Sequence, residues 1–152
     1  MTDKPLELKM DKWTFRVPKD CLYNENDCWA KLNGNTATIG ITDFLQNMAS
    51  DIIYVDLPET NTSVEQFDEV GSFESTKTVL DLISPVAGIV KEVNEELQLK
   101  PELVNQDPYG KGWFVKIEVK DFEADKENLL SSEAYFEIMK KKLEVERQKR
   151  KK

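Results

Sequence analysis

The stretch Glu74-Ser-Thr-Lys-Thr-Val-Leu-Asp-Leu-Ile-Ser-Pro-Val-Ala-Gly-Ile-Val-Lys-Glu-Val-Asn94 decides how the rest of the chain is read. Its apolar residues fall in short runs broken by turn formers, the pattern of strands and not of a helix. Val70 to Ser75 and Val79 to Ile83 read as two strands separated by Thr76-Lys77-Thr78. Ser84-Pro85-Val86-Ala87-Gly88 reads as a turn, and Ile89 to Val93 as the next strand. Lys77 therefore sits at the tip of a tight turn, where side chains project into water, flanked by two small polar threonines. By itself such a lysine is a plain solvated charge.

The same short-strand pattern continues in both directions. Upstream, Cys28 to Leu32 and Thr36 to Ile41 flank Asn33-Gly34-Asn35, and Asn-Gly is a strong hairpin signal. Thr42-Asp43 opens a short helix carrying Phe44, Leu45 and Met48, and Ile52 to Leu57 reads as a strand stopped by Pro58. Trp13, Phe15 and Val17 alternate, which predicts an edge strand ending near Pro18. Downstream, residues 94–112 form a connection rich in Pro and Gly, with one helical turn at Glu102 to Val104. Trp113, Val115, Ile117 and Val119 then alternate with Phe114, Lys116 and Glu118. Ser131 or Ser132 caps a final helix whose apolar face is Tyr135, Ile138, Met139 and Leu143, and which frays beyond Leu143. The expected class is mainly β, a sandwich or barrel closed by a C-terminal helix.

Composition narrows function by exclusion. The chain has 152 residues, a formal net charge of −8 and no histidine. That length suits one domain with a core of its own. Without histidine there is no Ser-His-Asp or Cys-His catalysis and no His-ligated zinc. Cys21 and Cys28 alone make a poor metal site and are expected to be reduced thiols. An enzyme here would have to use carboxylates, lysine or a borrowed cofactor. The absence of an apolar signal core or membrane-length run predicts a cytoplasmic protein. Residues 140–152 carry eight Lys/Arg and two Asp/Glu, net +6, so the first 139 residues carry −14. Such a body repels nucleic acid and anionic membranes, and neither is expected as a partner. The basic run is read as the solvated end of a helix.

Four ordered segments take the reading further. Thr36–Asp43, Asp51–Pro58, Glu74–Asn94 and Pro101–Trp113 together resemble the glycine cleavage system H proteins, over about Leu22 to Met139. The third segment matches that family's lipoyl-attachment motif: Glu-Ser-x-Lys, an Asp four residues on, then Ser-Pro-x-x-Gly-x-Val-x-Glu-Val-Asn. The resemblance implies a lipoyl-domain-like flattened barrel-sandwich hybrid with short peripheral helices and a C-terminal helix. It implies a division into an N-terminal extension (1–20), a lipoyl-carrier domain (21–139) and a basic helical tail (140–152). It also implies lipoate bound covalently to Lys77 by a lipoate ligase or lipoyltransferase, with Glu74 and Asp81 placed to guide that enzyme. Biotin is the nearest chemical rival, but biotinylated lysines sit between methionines, and Thr76 and Thr78 do not fit. A carrier of this kind is not itself an enzyme. The cofactor supplies the chemistry, and the protein presents and protects it. Its partners would be a glycine decarboxylase, an aminomethyltransferase and a dihydrolipoyl dehydrogenase, between which the arm moves an aminomethyl group.

The chain also departs from that family. Members read Tyr-x-x-x-His-Glu-Trp where this chain has Tyr23-Asn-Glu-Asn-Asp-Cys-Trp29. Asp27 replaces histidine, and Cys28 replaces a glutamate that lies near the cleft sheltering the loaded arm. Many members also have histidine where this chain has Phe44. Asp81, the cleft's other acidic group, is kept. A thiol at Cys28 in the arm cleft suits a second reading, an H-like lipoate carrier serving a sulfur-oxidising, heterodisulfide-reductase-like complex. The bland reading of Cys28 is a small, half-buried hydrophobe. A third reading is an unmodified interaction module recruited through the basic tail.

Overall fold

The computed structural model describes residues 4–150, so Asp3 and the last two lysines of the basic run lie outside the described residues. Eleven strands and five helices are described. The strands are β1 (Leu6–Met10), β2 (Trp13–Val17), β3 (Leu22–Tyr23), β4 (Cys28–Asn33), β5 (Thr36–Ile41), β6 (Ile52–Asp56), β7 (Ser63–Val64), β8 (Glu69–Ser75), β9 (Val79–Ile83), β10 (Gly88–Val93) and β11 (Val115–Val119). The helices are α1 (Asp43–Ala49), α2 (Glu96–Leu99), α3 (Leu103–Gln106), α4 (Phe122–Lys126) and α5 (Ser132–Arg150).

The mainly β expectation holds, and the strands lie in three open sheets. One has six strands in the order β3-β4-β5-β11-β10-β7, one has β6-β8-β9, and β1-β2 form a separate hairpin. Alternation along the strands points one face of each larger sheet inward. Ala37, Ile39, Ile41, Val90, Val115 and Ile117 from the six-stranded sheet share a buried cluster with Ile52, Val55, Phe73 and Leu82 from the three-stranded sheet. Phe114 joins them against Phe73, ring centroids 5.9 Å apart at 67°. That corrects its place in the polar phase of β11: the strand begins at Val115, and Phe114 turns inward just before it.

A second cluster lies under α5. Tyr135, Met139 and Leu143 pack with Phe15 and Val17 of the N-terminal hairpin and with Tyr23, Trp29 and Phe44. Tyr23 and Tyr135 stack at 4.7 Å. Trp29 satisfies its buried indole N–H by donating to the Ile41 and Pro108 carbonyls at 3.0 and 3.1 Å. Thr42 caps α1 by accepting from Leu45 N, and Ser131 accepts from Ala134 N at the start of α5, as the sequence predicts.

Five short elements escape the sequence pattern: β1, β3, β7, α2 and α4. Each is held by tertiary contacts. β1 is polar on one face and exists as the partner of β2. β7 is two residues paired to Gly88 and Ile89. α2 buries only Leu97, and α4 is capped by Asp121. Buried Asp125 of α4 accepts from Ala87 N at 2.9 Å, pinning the Ser84–Gly88 turn. Helix α5 also continues past Leu143 to Arg150, beyond the point where its apolar face ends.

Candidate functional site

The β8–β9 hairpin presents Lys77. Glu74 pairs with Val79, and Ser75 N donates to Thr78 O at 2.8 Å across the turn. Buried Ser75 then stiffens the tip from within, because its Oγ accepts from both Lys77 N and Thr78 N at 3.1 Å. Thr76 N donates to Asp51 O at 3.0 Å, tying the turn to the α1–β6 connection. Thr76, Lys77 and Thr78 are all exposed. The backbone is fixed at four points while the lysine side chain is left in solvent.

Along β9 from Lys77 lies a groove of about 360 Å³, lined by Leu80, Asp81, Ile83, Leu45 and the loop Glu25-Asn26-Asp27. At about 3.3 Å per residue, Asp81 is roughly 13 Å along the strand from Lys77. Leu45, Leu80 and Ile83 supply apolar wall, and Glu25, Asp27 and Asp81 supply carboxyl groups. Asp81 also faces Glu69, whose carboxyl is raised chiefly by the Asp81 charge, with burial and Asp56 adding to it.

The loop wall is built by side chains. Asn24 Oδ1 accepts from Asn26 N and Cys28 N, and Asn24 Nδ2 donates to Ile83 O at 2.9 Å. This lets Asp27 hold a positive φ of 63°. Its carboxylate accepts from Lys142 Nζ at 3.0 Å on each oxygen and from Tyr135 Oη at 2.8 Å. Burial pushes the Asp27 carboxyl above its ordinary range, and Lys142 and Tyr135 oppose that shift. The paired ammonium on both oxygens marks it as an ionised carboxylate.

The residues singled out from sequence fall in three places. Lys77 and Glu74 stand on the exposed hairpin, with Glu74 outside the groove lining, in a row with Tyr54 and Val79 across the sheet. Asp81 is in the groove wall. Cys28 is not: it is fully buried in the main core, its thiol donates to Asn26 O at 3.6 Å, and burial raises it to about 12. A thiol so placed is protonated and lies behind the wall, because β-strand alternation turns position 28 inward. Cys21 is likewise buried, unpaired and raised to about 12. In the sequence Asp27 stands out only as a departure, and Lys142 and Tyr135 carry no signal, because their partnership with Asp27 spans more than a hundred residues and leaves no local pattern.

The hairpin thus holds a solvent-facing lysine on a pinned backbone, beside a small groove of mixed apolar and acidic lining. A family profile described as Glycine cleavage H-protein matches residues 21–142. Proteins described as glycine cleavage system H proteins from two strains of Staphylococcus epidermidis are each 46% identical over 123 residues, covering 81% of this chain and 97% of theirs. A crystal structure of a glycine cleavage system H protein from Mycobacterium marinum superposes with a TM-score of 0.69 at 31% identity, covering 78% of this chain and 95% of that one. The chain belongs to the glycine cleavage H-protein family.

Proposed function

We propose that this protein carries lipoate covalently on Lys77 and serves as the mobile cosubstrate of glycine cleavage in the cytoplasm. In this reading a lipoate ligase or lipoyltransferase loads Lys77, with Glu74 beside it on the hairpin. The arm receives an aminomethyl group from the decarboxylase and gives it up to the aminomethyltransferase. The dihydrolipoyl dehydrogenase then reoxidises it. The observation that carries the reading is the exposed Lys77 on a backbone fixed at Ser75, Thr76 and Thr78, within an arm's length of the groove. The groove suits such a group. Leu45, Leu80 and Ile83 match an alkyl chain, and Asp81 favours a cationic amine at its end. Lipoate supplies the redox and carrier chemistry when bound. The chain's own groups hold the lysine away from the fold, line the groove and set its charge.

The glutamate that Cys28 replaces is not restored at position 28, and the sulfur-carrier reading drew on that thiol. Because Cys28 is buried and protonated, the groove's chemistry is that of its carboxylates, which favours the aminomethyl reading. Among the described residues no helix is long and apolar enough to cross a membrane. Intact-mass measurement after expression with a lipoate ligase and lipoate tests the proposal. One lipoyl adduct is expected, lost in Lys77→Ala, together with glycine–bicarbonate exchange when the loaded protein meets a decarboxylase. An unmodified protein under those conditions refutes it.

A further inference from the structure

We propose that Lys142 is a positioning residue for the groove, acting through Asp27 and the Glu25 carbonyl; the inference rests on the carrier reading above. Two features stand outside that reading: the aspartate found where histidine is usual, and the basic C-terminal helix. The structure joins them. Lys142 Nζ spends its donors on Glu25 O at 2.9 Å and on both Asp27 oxygens at 3.0 Å. Glu25 and Asp27 both line the groove. From the same helix, Tyr135 bridges Asp27 and Thr42 at 2.8 Å each, and Thr42 is the cap of the helix that carries Leu45. Helix α5 thus anchors two walls of the groove without lining it.

The pairing also sets the groove's charge. With Lys142 and Tyr135 bound, the Asp27 carboxylate already accepts three hydrogen bonds, and the Glu25 and Asp81 carboxyls are left to meet a cation on the arm. Without Lys142, Asp27 is a buried carboxylate with a single hydroxyl partner. It then takes up a proton at higher pH, and the 25–27 wall keeps its Asn24 bonds but loses its Lys142 tie to α5. The other titratable groups around Asp27 are Tyr135 on α5, Tyr109 before β11, Cys28 on β4, Glu25 on the same loop and Asp81 across the groove. Tyr109, Tyr135 and Cys28 are all raised by burial, so none of the three changes charge between about pH 5 and 8.

The test uses the full-length lipoylated chain and its Lys142→Met, Lys142→Arg and Asp27→Asn/Lys142→Met variants, each checked by thermal melting. In the unloaded protein, amide hydrogen exchange at Asn26 and Cys28 reports the wall. For the loaded groove, the dihydrolipoyl arm is treated with formaldehyde and ammonia. The half-life of the aminomethyl adduct is then followed by mass across about pH 5 to 8. Decay adds water, breaks the C–S bond, returns the thiol and releases formaldehyde and ammonium. Lys142→Met is expected to speed wall exchange and shorten the half-life about five-fold or more, with a pH step that the parent protein lacks. Lys142→Arg restores both, and the double variant shows no step. A Lys142→Met protein with the parent's half-life and flat profile overturns the inference, as does a step that persists in the double variant. If the parent's adduct decays as fast as that on free dihydrolipoamide, the sheltering groove itself falls. A protected parent with an indifferent Lys142→Met removes only the role of Lys142.

Discussion

Replacing Ser75 with alanine should loosen the turn that presents Lys77 while leaving the lysine itself intact. The Ser75 hydroxyl accepts two backbone amides at 3.1 Å, those of Lys77 and Thr78. Each such bond is worth about 0.5–1.5 kcal/mol net. Both amides belong to exposed residues, so water replaces part of the loss, and a total of about 1 kcal/mol is expected for Ser75→Ala. That is roughly a five-fold shift toward open conformations of the turn. The Thr76 N to Asp51 O bond at 3.0 Å stays in place, so the effect is local. Amide exchange at Lys77 and Thr78 should quicken by about that factor, and the kcat/KM of lipoylation should fall by at most that factor, since it follows the closed fraction of the turn. Ser75→Thr, which keeps the hydroxyl, should recover most of it. Unchanged exchange at both amides, or a lipoylation loss that Ser75→Thr shares in full, would refute the argument that the hydroxyl orders the tip.

Three further outcomes follow from the packing. Cys21 and Cys28, each buried and raised to about 12, should resist alkylation at about pH 8, where only ~10⁻⁴ of each is thiolate, and should label at the rate of unfolding. Faster labelling of the folded protein would contradict their placement. Tyr135→Phe removes the hydroxyl between Asp27 and Thr42 and should cost about 1–3 kcal/mol in urea unfolding, whereas a loss below ~0.5 kcal/mol would mean that the bridge contributes little. Gly88→Ala would drive a methyl group into the Glu118 backbone carbonyl, which the β10–β11 ladder prevents from retreating, and should cost about 3 kcal/mol or more of stability in the same assay.

Much of the scaffold was legible because its signals are local. The Asn33-Gly34-Asn35 hairpin, the Thr42 cap and the two strands around Lys77 are each written within a few residues, and each appears in the fold. Phe114 was misplaced because its burial depends on Phe73 across the sandwich and not on its own strand's alternation. β1 and β7 were missed because two to five residues of weak pattern become strands only when a partner supplies the ladder. At the candidate site, the exposed turn position of Lys77 could be read from the local strand and turn pattern. The inward turn of Cys28 and the reach of Lys142 to Asp27 could not, since both follow from how distant elements pack.

The fixed root of the β8–β9 hairpin governs where conformational freedom resides. With the turn backbone held by Ser75 and Asp51, the freedom of a Lys77 modified as proposed would be confined to rotations of its own side chain. Cargo on such a tether searches a shell whose radius is the tether length. Its local concentration at the groove, or at an enzyme docked beside the hairpin, is set by that length and not by fluctuations of the fold. A floppy root would widen the shell and dilute the cargo. A stiff one would make delivery a matter of geometry, since a partner would need only to seat the hairpin for the proposed tether to reach.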